Sequence, residues 1–139
     1  MYHLSTKGRY GTRFLYQLKK NHGNGPMVLR QIAKNEDLPV KYLEQIIPIF
    51  KKAKLIKSVR GPHGGYLLLK EPSEINIKTV LELLEGNLAP VGCLLSSANC
   101  KRSSTCAAQT VWRELENKIN ETLRDITLLD MLKMSKNKE

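Results

Sequence analysis

Apolar residues recur at helical spacing along most of this chain. After Ser5-Thr6, Tyr10, Phe14 and Leu18 repeat every four residues with Leu15 alongside, and the repeat stops at Asn21-His22-Gly23-Asn24-Gly25-Pro26. That spacing predicts a first helix over 7–21. Leu29, Ile32 and Ala33 mark a second, short helix, and Asn35 to Leu38 form a brief turn into Pro39, whose fixed φ suits a first helical turn. Leu43, Ile46, Ile47 and Phe50 then fall at i, i+3, i+4 and i+7, which leaves Lys41, Glu44, Gln45 and Lys52 on other faces. Two helices so joined have helix-turn-helix spacing. Pro48, inside the second, removes a hydrogen bond and crowds the carbonyl of Glu44, at a cost of roughly 3 kcal/mol if unrelieved. A kink is expected there, beyond the polar turn at 41–45.

The period then changes. Ile56 and Val59 precede Gly61-Pro62-His63-Gly64-Gly65, and Tyr66-Leu67-Leu68-Leu69 follows, a pattern that predicts a β-hairpin with Arg60 near its tip. Ile77, Val80, Leu81 and Leu84 restore helical spacing up to Gly86. Residues 87–105 carry Pro90, Gly92 and several serines without periodicity, and irregular segments of that length are commonly functional or disordered. A long helix is expected from Ala107 to Ile126, with Val111, Leu115, Ile119 and Leu123 spaced by four and Trp112 adjacent; a short turn over 127–132 and a fraying polar end over 133–139 should follow. The fold class is therefore mainly α with a small β-hairpin. The parts are a winged helix-turn-helix at 1–86, a cysteine loop at 87–106, and a dimerisation helix with a tail at 107–139. The last stripe is longer than so small a core needs, so it should bury against a second copy in a homodimer.

Charge gives the helix and hairpin a meaning. Residues 1–71 hold 14 Lys and Arg against 4 Asp and Glu, a net +10, whereas residues 72–139 hold 9 against 9. Amphipathic helices beside hairpins occur in many domains that never meet nucleic acid, but a surplus confined to this half is the footprint of a nucleic-acid face. A helix with polar side chains outward fits the major groove of double-stranded DNA, and an arginine on a hairpin reaches phosphates or the minor groove. No apolar run approaches the length of a membrane span, and the basic residues are spread over several short elements, which argues against a membrane partner. The N-terminus has no signal-peptide pattern, so a cytoplasmic location is expected.

Three cysteines, Cys93, Cys100 and Cys106, fall within the irregular segment at Cys-x6-Cys-x5-Cys spacing. An odd count in a reducing compartment argues against a disulfide framework. Lys101, Arg102 and the start of the long helix give them a positive setting. Zinc ordinarily takes four ligands at tighter spacing, and iron-sulfur clusters accept more open loops of thiolates. By spacing alone, a metal or cluster site and ordinary thiols stand about level.

Leu4-Ser5-Thr6-Lys7-Gly8-Arg9-Tyr10, Tyr42-Leu43-Glu44-Gln45, Ser58-Val59-Arg60-Gly61-Pro62, Gly64-Gly65-Tyr66 and Leu84-Glu85-Gly86 together resemble the Rrf2 family of bacterial regulators, over nearly the whole chain. The resemblance implies a winged-helix homodimer joined through the long C-terminal helix. It also implies a DNA-contacting set of Ser5, Lys7, Lys41, Tyr42, Glu44, Gln45, Arg60 and Gly61. Glu44 accepts from cytosine N4 while phosphates repel it, or else pairs with neighbouring lysines. The three cysteines resemble the cluster-binding branch, the IscR and NsrR type. They imply an iron-sulfur cluster, 2Fe-2S first and 4Fe-4S also open, held by Cys93, Cys100 and Cys106. The sequence departs from that branch at Gln109, where a histidine is expected, and by one extra residue between the first two cysteines. Gln109, a group from a partner's N-terminal helix or an exogenous ligand would complete the site. His63 and Lys54 stand where the family has glycine, the second at a helix cap.

The function so implied is transcription regulation through operator DNA, with affinity set by a cluster that senses iron status, redox state or nitric oxide. The alternative is cluster-free control by thiol oxidation or a partner protein, the CymR type. An electron carrier or enzyme is a third class, but no base and nucleophile constellation is visible, and His3, His22 and His63 all lie in the basic half.

A basic half that neutralises roughly 6 to 10 phosphates must release their counterions on binding. Affinity for duplex DNA should then fall roughly 10³-fold or more between about 50 and about 200 mM salt. Filter binding or anisotropy across that range measures the slope, and a nearly flat dependence would remove the nucleic-acid reading.

Overall fold

A computed structural model describes residues 3–138. The chain forms α1 (Thr6–Lys20), α2 (Leu29–Glu36), α3 (Val40–Lys52), β1 (Ile56–Val59), β2 (Gly65–Leu68), α4 (Ile77–Glu85), α5 (Ala107–Asp125) and α6 (Leu128–Lys136). Short 3-10 turns lie at Pro72–Glu74, Gly92–Leu94 and Ser97–Asn99. This is the mainly helical winged-helix class with one antiparallel hairpin. Its register pairs Ile56 with Leu68, Lys57 with Leu67, Ser58 with Tyr66 and Val59 with Gly65.

The apolar stripes converge on one core. Phe14 and Leu15 of α1, Ile32 of α2, Leu43, Ile46 and Phe50 of α3, Ile56 of β1 and Val80 of α4 are all essentially inaccessible to solvent. The rings of Phe14 and Phe50 stack at 6.0 Å between centroids, and Tyr66 meets Phe14 edge-on at 6.2 Å. Close approach at the centre depends on Gly11, buried in α1: a Cβ there would collide with Leu84 and lie 3.2 Å from the Phe50 ring.

Local signals account for most boundaries. Ser5 caps α1 by accepting from the Gly8 amide at 3.2 Å, and Asn76 caps α4 by accepting from the Thr79 amide at 2.9 Å. Pro39 lies just outside α3 as its cap, one position earlier than the sequence suggests. Helix α3 runs unbroken through Pro48, which stands on the exposed side beyond Lys41 to Gln45. Lys54 ends this region with φ 58, the left-handed conformation for which glycine is the unstrained residue.

The C-terminal end differs from expectation. Instead of a short turn and a frayed tail, Leu128–Lys136 is a helix. Thr127 and Asp130 form a capping box, and Leu128 is wholly buried in the core, so a local signal and a tertiary one act together. Hydrogen bonds from the Thr127 backbone and hydroxyl hold the Asp130 carboxyl below the usual carboxylate range. The frayed end also included Glu139, which lies outside the described residues. Helix α5 is fixed at one end: Ile77 donates to the Ile126 carbonyl at 2.8 Å, and Leu128 to that of Ile75 at 2.9 Å.

Replacing Gly11 by Val should destabilise the fold by about 1–3 kcal/mol through overpacking against Leu84 and Phe50. Urea denaturation should show a lower midpoint with an unchanged slope, and an unchanged midpoint would contradict the packing described.

Candidate nucleic-acid interface and cysteine loop

Helices α2 and α3 meet through a tight turn. Asp37 adopts φ 52, and the Leu38 amide donates to the Ala33 carbonyl at 2.9 Å, which tucks Leu38 into the core. A polar cluster locks this turn to α1. Arg13 Nε pairs with Glu36 Oε2 at 2.9 Å and its guanidinium also donates to the Glu36 carbonyl. Gln17 Nε2 donates to Glu36 Oε1 at 2.5 Å, and Asn35 Nδ2 donates to Gln17 Oε1 at 3.0 Å. Gln17 is buried, and desolvating an amide is tolerable only because both ends are bonded. Sequence reasoning missed this cluster. The available signal was a glutamine three residues after Phe14, on the apolar side of α1.

With α3 held in this way, its outward face carries Lys41, Glu44, Gln45, Pro48, Lys51 and Lys52, all exposed. Tyr42 is half-buried and packs edge-on to Tyr10 at 5.2 Å, while the guanidinium groups of Arg9 and Arg13 lie within 6 Å of the Tyr10 ring, at 5.9 and 5.8 Å. Among the described residues Glu44 takes part in none of the ion pairs, so its pairing with neighbouring lysines is not what the structure shows. A groove lined by Glu44, Ile47, Pro48, Lys51 and Tyr66 separates α3 from the hairpin.

The hairpin is braced at its base. Met27 and Tyr66 exchange two backbone hydrogen bonds of 2.9 Å, extending the sheet by one bridge. Gly65, at φ 146, lies so close to the Met27 carbonyl that any Cβ would clash. The tip then exposes Arg60, Gly61, Pro62 and His63. Lys7 is half-exposed in the first turn of α1. Ser5 is otherwise employed: besides capping α1, its hydroxyl donates to Glu85 Oε1 at 2.7 Å and its amide to the same oxygen at 2.8 Å. A polar helix face next to a basic, glycine-tipped hairpin has the donors and acceptors that base edges require and the cations that phosphates require.

The cysteine segment lies elsewhere, between α4 and α5. Cys93 sits in the Gly92–Leu94 turn, Cys100 directly follows the Ser97–Asn99 turn, and Cys106 is the residue before α5; all three are half-exposed free thiols. Among the described residues no three Cys, His, Asp or Glu side chains gather into a metal-holding group. The structure therefore keeps the thiols on one loop without converging them. Gln109 donates to the Cys93 carbonyl at 3.4 Å and to Ser103 Oγ at 2.7 Å. Helix α5 has no buried residue, and Val111, Trp112 and Leu115 are 58, 40 and 42% exposed.

The sequence pattern of the Rrf2 family, described as an iron-dependent transcriptional regulator, matches residues 4–134. The chain belongs to the Rrf2 family. It is a DNA-binding transcriptional regulator of that family with a winged-helix fold. Among curated Rrf2-type relatives, the transcriptional regulator CymR of Bacillus subtilis is 38% identical over 128 residues, which cover 92% of this chain and 88% of CymR. The solved structure of T. potens IscR superposes with a TM-score of 0.79 at 37% identity, over 96% of this chain and 88% of that one. The structure of B. subtilis CymR, titled the global cysteine regulator, gives 0.82 at 36% identity, over 94 and 96%. Both branches are thus similar to this chain to the same degree. No helix among the described residues is long and apolar enough to cross a membrane.

Proposed function

We propose that this Rrf2-family regulator acts as a homodimer whose operator affinity is set by an iron-sulfur cluster on Cys93, Cys100 and Cys106. The observation that carries the reading is the placement of three half-exposed thiols on one segment rooted between α4 and α5. The donor chemistry fits: three soft ligands on a loop of short turns suit iron and sulfide, with one iron position left to a weaker ligand. Of the hydrophobic core formed by the described residues, only Leu88 belongs to this segment, so the loop can rearrange to bring the thiols together without unpacking the domain. When bound, a 2Fe-2S cluster would supply a cross-link that responds to oxygen, nitric oxide or iron supply.

On the DNA side, Lys41, Glu44 and Gln45 would read base edges from the major groove, and Arg60 and Gly61 would bring the hairpin to the backbone or minor groove. Lys7 would contact phosphate. Tyr42 would contribute through its packing on Tyr10, and Ser5 through its cap of α1, since its amide and hydroxyl both donate to Glu85. The dimer reading rests on α5. Leu4, Leu81, Ile119 and Leu123 line an apolar groove beside it, next to the exposed Val111, Trp112 and Leu115. A second copy of the helix would cover this surface.

The cluster-free reading has its own support. The thiols do not converge, Gln109 is engaged in holding the loop, and CymR is as similar as IscR. Thiol oxidation or a partner protein would then set the affinity.

Anaerobic reconstitution separates the two readings. Wild type should bind iron and sulfide, while Cys93→Ala, Cys100→Ala and Cys106→Ala should each lose most of the iron with an unchanged helical signal. Full retention of iron in all three variants would sink the cluster proposal. For the dimer, sedimentation of a Leu115→Glu, Ile119→Glu double variant should give a folded monomer, and a wild type that already sediments as a monomer would overturn that part.

A further inference from the structure

Gln109 lies in the first turn of α5, three residues after Cys106. A glutamine at that position often turns back to cap its own helix. Here its Nε2 reaches outward instead, to the Cys93 carbonyl and to Ser103 Oγ. One half-buried amide therefore ties the first turn of the cysteine loop, the stretch just before α5, and α5 itself.

The rest of the loop is held locally. Its backbone hydrogen bonds, such as Leu95 to Gly92, Cys100 to Ser97 and Thr105 to Arg102, each span three residues. Asn99 Nδ2 closes the first half by donating to the Gly92 carbonyl at 2.8 Å. Among the described residues, the Gln109 bonds are the hydrogen bonds that join the loop to α5. In this latched arrangement no three thiols gather.

We infer that Gln109 is a positioning residue for the thiols: its amide latches the loop in an arrangement in which the three sulfurs are not gathered, and so opposes their gathering around a metal ion. Gathering requires the loop to rearrange, and its first turn, at Cys93, and the stretch before α5, at Ser103, are both fixed to the same side chain. Releasing the latch should make Cys93 more reactive and metal capture easier. The consequence for sensing rests on the proposed role of the loop, whereas the latch itself exists in the metal-free chain and can be tested there.

The test uses the full-length, reduced, metal-free protein with Gln109→Ala and Gln109→Glu. A carboxylate at 109 can still accept from Ser103 but has no donor for the Cys93 carbonyl, so both variants break that bond. Iodoacetamide labelling resolved by mass spectrometry gives the rate at each cysteine, and Co²⁺ titration followed by thiolate-to-metal absorption gives the affinity. With net hydrogen-bond contributions of ordinary size, Cys93 should label about 3- to 10-fold faster in both variants, and Co²⁺ should bind about 3- to 10-fold more tightly to Gln109→Ala, which adds no metal ligand. The helical signal and melting temperature should match wild type, which a general loss of structure would not allow. Cys93 rates within about twofold of wild type in both folded variants, or weaker Co²⁺ binding, would overturn the latch. If no form shows thiolate absorption with Co²⁺ while Cys93 labelling still accelerates, the latch stands and the cluster proposal falls.

Discussion

The close approach of α1 to α3 and α4 is the constraint on which the rest of the molecule depends. Gly11 permits it: without a Cβ, Phe50 and Leu84 close over the helix, and the Phe14–Phe50 stack forms behind them. Once α1 is seated, its surroundings follow. Gln17 and Arg13 grip Glu36 and set the turn before α3, and Tyr10 supports Tyr42 at the start of α3. At the other end of α1, Gly8 lets the Glu85 side chain come against the helix, where its carboxylate receives Ser5. The outward face of α3 is thus aimed by a helix that need not itself touch a base.

The excess charge is segregated along the chain. The whole surplus of +10 belongs to residues 1–71, which build α1 to β2, whereas the balanced second half builds α4 to α6 and the loop. Counterion release would therefore act on one part and the proposed apolar association on another, and changes in the loop need not alter the charge on the basic half. Glu44 is the acidic residue on the exposed face of α3. If α3 enters the groove as proposed, this carboxylate would weaken general affinity for phosphates in exchange for discrimination between base pairs.

Much of this was legible in the residues. The i, i+3, i+4, i+7 stripe of Leu43, Ile46, Ile47 and Phe50 gave α3 its buried side and so its exposed one, and the glycines from Gly61 to Gly65 marked the hairpin tip. Helix α6 was underestimated because its signal is divided between a Thr127–Asp130 capping box and the burial of Leu128, and tertiary burial has no local trace. The Gln17–Glu36 cluster was hidden for the same reason, since partners 19 residues apart show no periodicity. Spacing of the cysteines reported a shared loop but not that the three side chains would stay ungathered, nor the Gln109 amide that ties the loop to α5.

The most direct test of the central claim is the operator affinity of one preparation measured with and without its cluster, at fixed salt and under anaerobic conditions, on a duplex selected from a random library. Reconstituted and metal-free dimers should differ by at least about tenfold in Kd, which corresponds to about 1.4 kcal/mol of linkage between loop and DNA face. Equal affinity of the two forms for the same duplex would contradict the account.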